Sequence, residues 1–107
     1  MDQSRVSIVI PAYNEAARLP STLATIEAYA TKKFARAEII IIDDGSKDGT
    51  RAAAEKIAAA ARPPCDIRVL SHHPNRGKGA SVREGMLAAK EPLVLMSDAD
   101  LSTPIEE

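Results

Sequence analysis

Residues 38 to 46 read Glu38-Ile39-Ile40-Ile41-Ile42-Asp43-Asp44-Gly45-Ser46, four isoleucines in a row closed by two carboxylates and a turn. A run of β-branched residues with no polar position has no face to spare for water, so the strand it forms must be covered on both sides. That is the pattern of a parallel sheet layered between helices. Three more apolar runs, Val6 to Ile10, Ile67 to Leu70 and Leu93 to Met96, read as its companions, the last again apolar throughout. Helix-length segments separate them. From Pro20 to about Lys32, Leu23, Ile26 and Ala30 fall at helical spacing, and Pro20 suits a first turn where the missing N–H costs nothing. From Thr50 to Ala61, Ala54, Ile57, Ala58 and Ala61 form one stripe, with Asp48 or Ser46 as cap and Arg62-Pro63-Pro64 as stop. From about Ala80 to Lys90, Val82, Met86 and Ala89 share a face, and Pro92 ends the segment. The order β-α-β-α-β-α-β predicts an α/β fold with right-handed crossovers: a Rossmann-like parallel sheet with helices on both faces.

The chain's 107 residues make one domain, and with aromatics at only 3% its core must be aliphatic and rich in alanine. Fourteen basic side chains against 15 acidic ones leave no clustered positive excess, which excludes nucleic acid as the main partner. Cys65 is the single cysteine, so no internal disulfide can form. With no apolar run behind a basic N-terminus, a reducing compartment, by default the cytoplasm, is expected. No apolar stretch approaches the ~18 residues of a membrane span. Cys65 has no partner to activate it and reads as structural, while His72-His73 lacks metal-site spacing and reads as a surface or packing pair. No Gly-x-Ser-x-Gly elbow is present for serine hydrolase chemistry.

In open parallel sheets ligands bind outside the carboxyl ends of the strands. There the chain carries Pro11-Ala12-Tyr13-Asn14-Glu15, then Asp43 to Thr50, then Asn75-Arg76-Gly77-Lys78-Gly79, then Asp98-Ala99-Asp100. Acidic groups at three strand ends and a lysine among glycines at the other predict one shared site. Residues two apart in extended chain point the same way, so Asp98 and Asp100 can face one hard cation. Mg²⁺ takes one or two carboxylates and bridges substrate phosphates. Adjacent carboxylates at Asp43-Asp44 repel unless a cation or donor lies between them, and a nucleobase imide N–H is one candidate donor. Gly77 and Gly79 let the backbone approach a ligand and Lys78 can counter phosphate, without the full P-loop pattern.

Taken together, Ser7 to Glu15, Glu38 to Thr50, Asn75 to Gly79 with Val82-Arg83-Glu84-Gly85-Met86, and Asp98 to Pro104 resemble family 2 glycosyltransferases of the GT-A fold. The last two motifs are most similar to the polyprenyl-phosphate (dolichyl-phosphate) β-glucosyltransferase branch. The resemblance implies strand order 3-2-1-4 and a nucleotide-sugar donor, a UDP-sugar such as UDP-glucose ahead of a GDP-sugar. It implies that Pro11, Ala12, Tyr13 and Glu15 line the nucleoside pocket, and that Asp43 or Asp44, with Ser46 nearby, accepts from the base. Gly77, Lys78 and Gly79 would then sit beside base or phosphates, with Arg83 as a phosphate partner. Asp98 and Asp100, flanking Ala99, would be the catalytic pair holding Mg²⁺ or Mn²⁺ on the diphosphate.

Transfer would invert the anomeric centre. A polyprenyl phosphate acceptor, with a second pKa near ~6, would need no general base. Because Glu107 closely follows the metal motif, residues 1–107 are expected to be the donor-binding part, with acceptor-binding elements in the complete protein at the cytoplasmic membrane face and little transfer by the chain alone. Leu93 to Met96 would then be an apolar edge open to homodimer pairing. Two alternatives are a non-catalytic nucleotide-binding module and a haloacid-dehalogenase-like phosphatase. The phosphatase would use Asp98-x-Asp100-x-Ser102, but its nucleophile motif opens the domain instead of following a fourth strand.

Overall fold

The isoleucine run lies in the middle of a nine-residue strand in which every position from Ala37 to Asp44 is buried. The computed structural model describes residues 5–72 and 74–97. In chain order the elements are β1 (Arg5–Ala12), α1 (Leu19–Lys33), β2 (Arg36–Asp44), α2 (Thr50–Ala60), β3 (Cys65–His72), α3 (Lys78–Ala88) and β4 (Leu93–Met96). The four strands form one parallel sheet in the order β3-β2-β1-β4, as the family resemblance implied. Pro11, Ala12, Asp43 and Asp44 are thus the last paired residues of their strands, Ala12 facing Asp43 across the β1–β2 ladder.

Alternation along the strands divides the core in two. Val6, Ile8, Ile10, Ile39, Ile41 and Ile67 pack under α1 and α2, where Leu19, Leu23, Ile26, Ala30 and Ala54 complete a mainly aliphatic layer that also holds Cys65 and meets Phe34. On the other face Val9, Ile40 and Ile42 make a smaller cluster with Leu70, Val94, Ala88 and Ala89 beneath α3. Below it lies a charged knot. Glu38 accepts from the Ser7 hydroxyl (2.8 Å) and the Lys90 N–H (3.1 Å), while Arg68 reaches Glu38 (3.0 Å) and the Ala88 carbonyl (2.8 Å). This knot ties the α3–β4 turn to the sheet.

Two expectations about the α3 face need correction. Met86 is exposed, and the helix buries Ser81 and Gly85 instead. The reason is close approach: a Cβ on Gly85 would stand 2.3 Å from Val9 Cγ1, so the contact face is defined by the absence of a side chain, which apolar spacing cannot reveal. The second concerns β4, which is not covered on both faces, since Leu93 and Met96 are exposed at 41% and 52%. Among the described residues β4 pairs with β1 alone. No described helix is long and apolar enough to cross a membrane.

Gly85→Ala is expected to destabilise the fold by about 1–3 kcal/mol, because Val9 is fully buried on a central strand and stiff at χ1. Denaturant unfolding of Gly85→Ala, Val9→Ala and the double variant should show strong coupling. Additive losses would mean the two side chains do not compete for the same space.

Candidate functional site

The loops after β1 and β2 are sewn together by side chain to backbone bonds. Asn14 sits in the left-handed region at φ 52°. Its N–H donates to Ser46 Oγ (2.9 Å) and its Oδ1 accepts from the Lys47 N–H (2.9 Å). The Glu15 N–H donates to Thr50 Oγ1 (2.8 Å) and the Ala16 N–H to Asp48 Oδ2 (3.3 Å). Asp48 also receives the Thr50 N–H (2.9 Å) and, closely, the Thr50 hydroxyl; that hydroxyl and the surrounding N–H donors hold its carboxyl below the ordinary range. Neither expected cap holds the N-cap position of α2, which is Gly49: Asp48 bonds Thr50 from one residue earlier, and Ser46 binds the neighbouring loop. Tyr13, next to this junction, is 44% exposed.

The two adjacent aspartates have different tasks because consecutive strand residues face opposite ways. Asp43 Oδ1 accepts from the Ser46 N–H (3.2 Å). Asp44 binds the β3–α3 loop: Oδ1 accepts from the Arg76 N–H (2.7 Å) and meets His72 Nδ1 at 3.1 Å, and Oδ2 accepts from the Gly77 N–H (2.8 Å). Its backbone carbonyl accepts from Asn75 Nδ2 (2.9 Å). Burial pushes the Asp44 carboxyl up, but the two N–H donors and His72 outweigh it and hold it below its ordinary value. Of the pair offered as base acceptor, Asp44 takes the protein's own donors on both oxygens, whereas the described bond to Asp43, which is also buried, falls on Oδ1.

Gly77, held by Asp44 at φ 95°, opens α3, so Lys78 and Gly79 begin the helix beside the strand ends. Arg83, one turn further on, lines with Arg76, Gly79 and Leu87 a cleft of about 560 Å³ on the outer side of that loop. The structure thus brings Pro11, Ala12, Tyr13, Glu15, Asp43, Ser46, Gly77, Lys78 and Gly79 to one edge of the sheet, with Arg83 at its flank. Asp98, Ala99 and Asp100 lie outside the described residues; Ser97, just before them, donates its N–H to the Val9 carbonyl (3.0 Å) at the carboxyl end of β4. Among the described residues no group of three or more His, Cys, Asp or Glu could hold a metal ion.

His72, read as a surface or packing residue, lies inside and does more than pack. It is buried, and its ring nitrogens meet two carboxylates, Asp44 at 3.1 Å and Glu84 at 2.7 Å. Glu84 raises its pKa most, burial opposes, and Asp44 adds to the rise. The sequence holds a faint trace of this bridge, since Asp44 and His72 stand opposite each other in the β2–β3 register, but Glu84 comes from a helix whose rotation the hydrophobic pattern misplaced. Cys65, by contrast, is a packing residue as read. Burial raises its thiol pKa and Thr31 lies at 3.5 Å.

Known proteins are similar to this chain in sequence and in fold. A dolichyl-phosphate β-glucosyltransferase of Dictyostelium discoideum is 38% identical over 112 residues, covering all of this chain and 34% of that protein. An undecaprenyl-phosphate 4-deoxy-4-formamido-L-arabinose transferase of Pseudomonas paraeruginosa is 43% identical over 103 residues, covering 95% and 30% respectively. Among solved structures, the mannosyltransferase PcManGT of Pyrobaculum calidifontis, in complex with GDP-Man and Mn²⁺, superposes with a TM-score of 0.77 at 25% identity, over 95% of this chain and 33% of that one. The chain therefore spans about a third of the length of the relatives it matches. The profile of glycosyl transferase family 2 matches residues 7–107. The parallel 3-2-1-4 sheet, the loops gathered at its carboxyl edge and this match over nearly the whole chain agree, and the chain belongs to glycosyl transferase family 2.

Proposed function

We propose that this chain is the donor-binding part of an enzyme that transfers a hexose, with inversion, from a nucleoside diphosphate to a polyprenyl phosphate, UDP-glucose being the donor. The observation that supports the reading is the division of labour at the end of β2: Asp44 fixes the β3–α3 loop from within, and Asp43, opposite Ala12 in the ladder, is the carboxylate we assign to the base. Tyr13 offers its face to that base. Lys78 and the open backbone at Gly79 supply positive charge and close approach for the diphosphate. Relatives named for dolichyl-phosphate and undecaprenyl-phosphate carry different sugars, and a polyprenyl phosphate is what they have in common.

Asp98 and Asp100 are the residues that would hold a divalent cation, a donor set that suits Mg²⁺ or Mn²⁺ with water and phosphate oxygens filling the other positions. When bound, such an ion neutralises charge growing on the departing diphosphate. The phosphate acceptor is anionic near neutrality, so the chain's own groups need only orient it and exclude water.

Calorimetry of the chain with UDP, UDP-glucose, GDP and GDP-mannose, each with and without Mn²⁺, is the direct test. The uridine compounds should bind, more tightly with Mn²⁺, and Asp100→Ala should remove the metal effect. Asp43→Ala should weaken UDP by about 1.5–3 kcal/mol, the cost of one lost hydrogen bond to a charged group. Tighter binding of the guanosine compounds would replace UDP by GDP as donor. No nucleotide binding under any condition would defeat the reading.

A further inference from the structure

His72 is joined to three separate parts of the molecule. Its own strand, β3, delivers it to the carboxyl edge; Asp44 approaches from β2 at 3.1 Å; Glu84 approaches from α3 at 2.7 Å. Arg76 in the connecting loop adds an opposing positive charge, and Arg83 on α3 lines the same cleft. A neutral imidazole has one N–H and one lone pair, so it can donate to only one of two carboxylates and must turn its lone pair toward the other. Only the imidazolium donates to both. The loop between these elements, residues 74–77, is itself held by Asp44 through the Arg76 and Gly77 N–H groups, and it leads straight into Lys78 and Gly79.

We propose that His72 is a positioning residue: as an imidazolium it clamps β2 to α3 through Asp44 and Glu84, and so holds the loop that presents Gly77, Lys78 and Gly79 at the site. When it loses its second proton, one arm of the clamp opens, Glu84 is released toward solvent, and the first turn of α3 loosens on the strand ends. The consequence for donor binding rests on the function proposed above; the consequence for the loop does not. Glu84 carries the switch more than Asp44 does, because its side chain is 40% exposed and its bond among the described residues is to His72, whereas Asp44 keeps its two N–H donors in either state.

The test follows the His72 ring, the loop and the ligand separately. Imidazole nitrogen shifts report the titration of His72, hydrogen exchange reports protection of the Arg76 and Gly77 amides, and calorimetry with UDP and Mn²⁺ reports affinity, all from mildly acid to mildly alkaline pH. Protection of the two amides should fall with the midpoint of the His72 titration, and UDP affinity should fall with it. The fall is tenfold for each pH unit by which UDP raises the His72 midpoint, by linkage. Glu84→Gln, a change at the protein surface, should move all three midpoints to lower pH together, and His72→Gln should abolish the pH dependence of amide protection.

Amide protection that ignores the His72 titration, or a midpoint unmoved by Glu84→Gln, would overturn the proposal. So would UDP affinity that stays level while the loop opens. Absence of UDP binding at every pH counts against the donor reading, and the exchange data then decide the loop clamp by themselves.

Discussion

Asp44→Ala is expected to lower the stability of the domain by about 3–5 kcal/mol, the range for removing one member of a buried charged pair and leaving its partners unmet. Asp44 is 3% exposed, and loss of its carboxylate strands the Arg76 and Gly77 N–H groups together with the His72 ring at the edge of the core. In a domain of this size the melting temperature should fall by roughly 15 °C. Asp44→Asn keeps the shape but substitutes a donor for one acceptor oxygen, so it should lie between wild type and alanine. Nucleotide binding should suffer in both variants, because the loop that opens α3 is no longer fixed.

The pH dependence of that stability loss carries the sign of both groups. Asp44 titrates below its ordinary 3.8, so its contribution is complete above 3.8 and is lost as pH falls through the lower folded value. His72 titrates above 6.5, so its contribution is complete below 6.5 and is lost as pH rises through the higher folded value. The advantage of wild type over Asp44→Ala should therefore be level between these limits and shrink on both sides. Chemical denaturation across the range checks it, and an advantage that kept growing into alkali would contradict the role given to the His72 bridge.

Much of this was legible because the signals were local and redundant. Four isoleucines demanded a strand covered on both faces, and Arg62-Pro63-Pro64 and Pro92 punctuated the helices, so element order and the carboxyl edge followed. The strand ends were read a residue or two short, since Pro11, Asp43 and Asp44 carry polar or turn character yet remain in the ladder. The rotation of α3 was misread because its contact face is Ser81 and Gly85, and a surface made by missing atoms leaves no hydrophobic period. Asp44 and Asp43 looked equivalent in sequence. Only strand parity, together with where the loop after β3 returns, shows that Asp44 binds that loop while Asp43 turns to the Ser46 N–H.

Gly45→Ala should cost about 2–4 kcal/mol, through two effects that a second substitution can separate. Gly45 lies at φ +73°, which disfavours alanine by about 1–2 kcal/mol. A Cβ there would also stand 2.7 Å from the Asn75 nitrogen, 3.1 Å from Asn75 Cα and 3.3 Å from the Pro74 carbonyl carbon, all of them backbone. Backbone cannot swing aside as a side chain can, so the β3–α3 loop as a whole must move outward, lengthening the bonds from Asp44 to Arg76 and Gly77. Asparagine distinguishes strain from collision, because it tolerates the left-handed region, as Asn14 does at φ 52°, yet brings the same Cβ. If collision dominates, Gly45→Asn should be nearly as unstable as Gly45→Ala, and both should lose exchange protection at the Arg76 and Gly77 amides. Full recovery of stability in Gly45→Asn would show that the approach of the two loops is loose enough to admit a side chain, and that Asp44 holds its loop without the close seat that Gly45 provides.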